Sequence, residues 1–186
     1  PFSGVLGVIF FLALGSYTRL LLYGDGPAVI GDMRLPLSVI FAGANIIGWY
    51  TFAGIYYRNT RTPERTRTIR LFDAGLIYLI MASLGAWLLA PVMMLRPENP
   101  FWFQAALHLF LDLFADGWLT LVLLGLAYAA LEDHRPDLSQ WGIRLLIAGL
   151  PVTFILGIPI VLVPETVRLI GSAGGICVAI GLLLVI

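Results

Sequence analysis

Six apolar runs separated by short polar connections leave this 186-residue chain few ways to fold. They cover Phe2–Tyr23, Leu37–Tyr57, Leu71–Leu95, Phe101–Leu131, Ile143–Val163 and Val167–Ile186. A helix needs about 20 apolar residues to cross a bilayer, and a barrel strand about 10 with alternating polarity. Runs of this length without alternation predict helices. The expected fold is therefore an all-α polytopic transmembrane helical bundle of about six spans, in one domain over residues 1–186.

Composition supports lipid as the solvent. Hydrophobic residues make up 60% of the chain and charged residues only 12%, whereas a soluble domain is about a quarter charged. Net charge is zero and no basic face stands out, so nucleic acid is not an expected partner. The expected partners are the bilayer itself, other membrane subunits, or a second copy of the chain. Cys177 is the single cysteine, which excludes a disulfide or a thiolate metal cluster within one chain. Every basic side chain is an arginine, so a lysine Schiff base is excluded as well. No phosphate loop, Ser/His/Asp arrangement or zinc-hydrolase motif is present. The run at Phe2–Tyr23 lacks the basic start and the cleavage site of a signal peptide. Beginning at Pro1 and running apolar to Ile186, the sequence is expected to be a piece of a longer chain.

Arginine placement sets an orientation, because positively charged connections stay on the cytoplasmic side. Arg58, Arg61, Arg65, Arg67 and Arg70 crowd the connection after the second run, which places that connection and the N-terminus inside. A prokaryotic cytoplasmic (inner) membrane is the expected location. Pro151 and Pro159 predict a kink in the fifth run. Gly171 and Gly175 form a GxxxG pair that suits close helix packing.

The candidate functional residues lie in the fourth run, in His108-Leu-Phe-Leu-Asp112-Leu-Phe-Ala-Asp116-Gly117-Trp118. Ionisable groups inside a span are costly and mark functional positions by default. Spaced four apart, His108, Asp112 and Asp116 fall on one side of an α-helix, each step turning by about 40°. At 1.5 Å per residue, Asp112 lies ~6 Å and His108 ~12 Å from Asp116 towards the outer face. Three readings fit this stripe. His108, alone or with Asp112, ligates haem iron or another metal, a carboxylate orienting the imidazole. Alternatively Asp112, Asp116 and Asn45 of the second run line a proton or ion path. In the third reading the polar groups are structural, with Arg19 and Asp112 as a buried ion pair and Asn45 bonded to Asp116. The other histidine, His134, reads as a solvated loop residue beside Glu132 and Asp133.

The pattern His108-x-x-x-Asp112-x-x-x-Asp116-Gly117-Trp118, followed by Gly125 and Tyr128, resembles the histidine-bearing helices of haem–copper oxidase subunit I and its small membrane relatives. Gly48-Trp49, Gly54 and Tyr56 repeat the outline in the second run. The resemblance implies a redox-related membrane protein with haem towards the outer half and His108 as the haem ligand. Asp112 stands where such relatives carry a second histidine, and the second run carries none. One intramembrane histidine implies a degenerate or truncated relative rather than a complete oxygen-reducing centre.

Overall fold

The computed structural model of the protein describes residues 2–23, 28–30, 33–35, 37–61, 66–95, 98–131 and 140–185. Its contacts divide into two compact units, Pro1–Thr62 and Pro63–Ile186. Each expected run forms a helix.

In the first unit, α1 (Phe2–Tyr23) and α2 (Leu37–Asn59) flank a hairpin of β1 (Ala28–Ile30) and β2 (Met33–Leu35). The strands are antiparallel, with Ala28 opposite Leu35 and Ile30 opposite Met33. The glycines and prolines of residues 24–27 and 31–36 mark this connection as turn-rich in the sequence. The two helices pack side by side and antiparallel. A Cβ on Gly48 would come within 2.8 Å of Ile9, while one on Gly15 would meet the Phe41 ring at 3.9 Å.

The second unit comprises α3 (Arg67–Leu95), a long rod, α6 (Gln140–Gly157) and α7 (Glu165–Val185). The rod consists of α4 (Phe101–Asp112), a π-helical segment Leu113–Leu119 and α5 (Thr120–Leu131). Local chemistry sets the helix starts. Thr66 Oγ1 accepts the Ile69 N–H at 3.3 Å, as an N-cap hydroxyl does. Asn99 Oδ1 accepts the Phe101 N–H at 2.9 Å. The Pro164 carbonyl takes the Val167 and Arg168 N–H groups at 3.0 and 3.1 Å, and Glu165 follows at the positive end of the helix dipole.

Among the described residues, four helices are long and apolar enough to cross a membrane: α3, the rod, α6 and α7. Only 17–33% of their most apolar windows is buried inside the protein. Helices apolar on every side, with most of that surface outward, need a hydrocarbon solvent. The six expected spans are four by this measure. The described apolar stretch of α1 is Ser3–Gly15. In α2 the residues Asn45, Trp49, Tyr50, Thr51, Tyr56 and Tyr57 dilute the hydrophobicity. The run expected at Ile143–Val163 also changes. Its helix stops at Gly157, and a short 3-10 turn, Ile160–Leu162, precedes α7. Pro159 accounts for the break, since it lacks an N–H and disfavours α geometry at Ile158.

The core of this unit follows helical spacing. Leu71, Ala74, Tyr78 and Ala82 of α3 meet Leu113 and Leu121 of the rod, with Ile143, Leu146 and Leu150 of α6. α3 runs antiparallel to the rod. Gly85 lies against the Ala106–Phe110 backbone, Gly117 against the Tyr78 ring and Gly125 against the Phe72 ring.

α6 and α7 meet through glycines seven residues apart, which differs from the expected GxxxG pair. A Cβ on Gly149 would lie 2.6 Å from the Gly174 carbonyl oxygen, and one on Gly181 would lie 2.9 Å from that of Gly142. The backbones touch at both levels, close enough for Cα–H···O contacts. Gly171 abuts Leu156 and Ile155, whereas Gly175 meets only a Leu156 methyl at 3.6 Å.

One hydrogen bond ties α3 to α6. Pro151 sits inside α6 and so supplies no N–H to the Ile147 carbonyl one turn earlier. The Tyr78 hydroxyl donates to that carbonyl. In hydrocarbon an orphaned carbonyl has no water to turn to, so a neighbouring helix supplies the donor.

Two predictions follow from this packing. Tyr78→Phe should destabilise the protein in detergent unfolding by about 1–3 kcal/mol, the cost of a buried unsatisfied acceptor. In a Pro151→Ala background, where residue 151 regains its N–H, the same change should cost markedly less; equal costs would contradict the assignment. Separately, Gly174→Val should destabilise by at least about 1–3 kcal/mol and Gly175→Val by far less, measured by the same unfolding assay.

Candidate functional site

His108 lies two turns into α4, and Asp112 ends that helix one turn later. The i,i+4 spacing lets the side chains meet. His108 Nδ1 is 3.2 Å from Asp112 Oδ2 and 3.5 Å from Oδ1. Both side chains are partly buried, at 23% and 24% exposure. With the carboxylate as acceptor, Nδ1 carries the proton and donates; in the neutral ring Nε2 then holds the lone pair and is the reactive position.

The C-terminal end of α6 closes one side of the pair. A Cβ on Gly157 would fall 2.2 Å from His108 Nδ1 and 2.7 Å from Asp112 Oδ2. No side chain fits there while the dyad keeps its place. The α6 end is built for this approach. Ile158 donates to the Ile155 carbonyl at 3.3 Å, tightening the last turn, and Pro159 turns extended with ψ 136°. Gly157 was missed in the sequence. Its available signal was a glycine two residues before a proline, which marks a helix end but does not reveal what the end touches.

Beyond Asp112 the rod is no longer α-helical. Leu113–Leu119 form a π-helical segment, in which i→i+5 bonding widens each turn. Thr120 Oγ1 reaches back five residues to the Ala115 carbonyl at 3.4 Å. Four residues overshoot a turn by about 40° in an α-helix but fall short of one in the wider coil. Leu113, Gly117 and Leu121 are buried, whereas Asp116 is exposed. The expected single stripe is thus a close pair, His108 and Asp112, followed by Asp116 on the outer surface of the rod. Phe110, Phe114 and Trp118 form an aromatic ladder, with successive ring centroids 6.0 and 5.0 Å apart.

The remaining expected residues lie elsewhere. Asn45 belongs to the first unit, where its Oδ1 is buried without a hydrogen-bond partner among the described residues. The Arg19 side chain and all of His134 lie outside the described residues, and with them the expected Arg19–Asp112 pair. Among the described residues, no three His, Cys, Asp or Glu side chains gather as a metal-binding group. Among the described residues the pair offers one imidazole whose Nδ1 meets a carboxylate.

No family model, curated protein or solved structure matches the chain.

Proposed function

We propose that the protein is an integral membrane protein that binds haem through His108, in a redox-related role like that of haem–copper oxidase subunit I. The observation that carries this reading is the 3.2 Å contact between His108 Nδ1 and the Asp112 carboxylate. Such a contact holds the ring in one orientation and one tautomer. Asp112 acts through the imidazole as its hydrogen-bond acceptor. The α6 end shields the Nδ1 side. Haem, when bound, supplies one-electron chemistry. With the Arg58–Arg70 connection inside, the dyad lies in the outer half of a prokaryotic inner membrane, where the resemblance places haem.

A second reading draws on the same partial burial. At 23% and 24% exposure, His108 and Asp112 keep some access to their surroundings. That access suits proton exchange at the pair, the task intramembrane His and Asp groups carry in proton relays.

An optical titration tests the first reading. Purified protein supplemented with haem should develop a Soret band with saturable 1:1 binding, and His108→Ala should lose it. A folded protein with no Soret band, or an unchanged band in His108→Ala, would overturn haem ligation by His108.

A further inference from the structure

Whatever the imidazole of His108 binds or passes on, its geometry depends on a residue with no side chain. The dyad belongs to α4, and its other wall is the last residue of α6. At Gly157 a Cβ would fall 2.2 Å from His108 Nδ1, 2.7 Å from His108 Cε1 and 2.7 Å from Asp112 Oδ2. All three atoms lie along the edge of the dyad where Nδ1 meets the carboxylate. A methyl group there would push apart the ring and the carboxylate, not helix from helix.

We infer that Gly157 is a positioning residue of the dyad: by bringing bare backbone against both partners, it seats the ring where Nδ1–H meets Asp112 and Nε2 stays a lone pair. The inference rests on reading His108 as the working imidazole, but not on what that imidazole holds. Gly157 differs from the glycines that join helices. At Gly149 and Gly181 the nearest atoms are backbone carbonyl oxygens, so added bulk would separate α6 from α7. At Gly157 they are side-chain atoms, so a clash there falls on rotatable groups and not on a helix backbone. Gly157→Ala is therefore expected to fold and to lose the pair.

The chain has two histidines, so histidine-selective 15N NMR in detergent or lipid resolves His108 directly, with His108→Gln to assign it. The wild type should show one set of His108 signals, a protonated Nδ1 and a lone-pair Nε2. Gly157→Ala should convert these to the averaged signals of mixed tautomers, as Asp112→Asn should. Gly175→Ala, whose Cβ would meet only a Leu156 methyl at an ordinary 3.6 Å, should leave them unchanged. Retained wild-type His108 signals in Gly157→Ala, with Asp112→Asn altered, would overturn the assignment. If both variants matched wild type, the dyad itself would be absent and the inference would fail with it. Haem titration of the same variants keeps the two proposals apart. Altered 15N signals without haem binding in any variant would support the role of Gly157 while sinking the haem reading.

Discussion

In hydrocarbon a backbone carbonyl released from its helix can turn only to the protein. Pro151 releases such a carbonyl at Ile147, and the Tyr78 hydroxyl of α3 takes it. That bond sits at the centre of the second unit, where Tyr78 also packs against Gly117 of the rod. Three of its four helices, α3, the rod and α6, are thereby set at one level. The same constraint governs the irregular places. In the widened turn the Thr120 hydroxyl reaches the Ala115 carbonyl, and the α6–α7 corner closes with Leu162 donating to Pro159. Each break in the helical ladder brings a local partner with it.

Glycine carries the second constraint. Apolar helices gain nothing by hiding from lipid, so close packing must hold them together. Gly142 and Gly149 of α6 bring its backbone against Gly181 and Gly174 of α7. This pairing positions the corner that follows α6, and so places Gly157 against His108 and Asp112. Packing and site are coupled because one helix does both.

The helices themselves were legible, since apolar length alone locates them. So was the His108–Asp112 pair, because i,i+4 spacing brings side chains together whatever surrounds the helix. The end of α6 was less plain. Val163 continues the apolar pattern, and only the Gly157–Pro159 pair signals the break. Nothing in Leu113–Leu119 announces a π turn, so the position of Asp116 could not be read from spacing that assumes an α-helix. The heptad of glycines was hidden for a related reason. Gly171 and Gly175 match a familiar motif, whereas the partners of Gly174 and Gly181 are Gly149 and Gly142, in the preceding helix. Long-range contacts of this kind depend on which faces meet, and in helices apolar on all sides composition does not say.

The central claim is that His108 and Asp112 form one hydrogen-bonded unit inside the helical bundle. Solid-state NMR dipolar dephasing between 13Cγ of Asp112 and 15Nδ1 of His108 measures it directly in lipid bilayers. Strong dephasing, as a 3.2 Å Nδ1–Oδ2 contact requires, is the predicted result. Folded protein in which the two nuclei show no dipolar coupling would contradict the account.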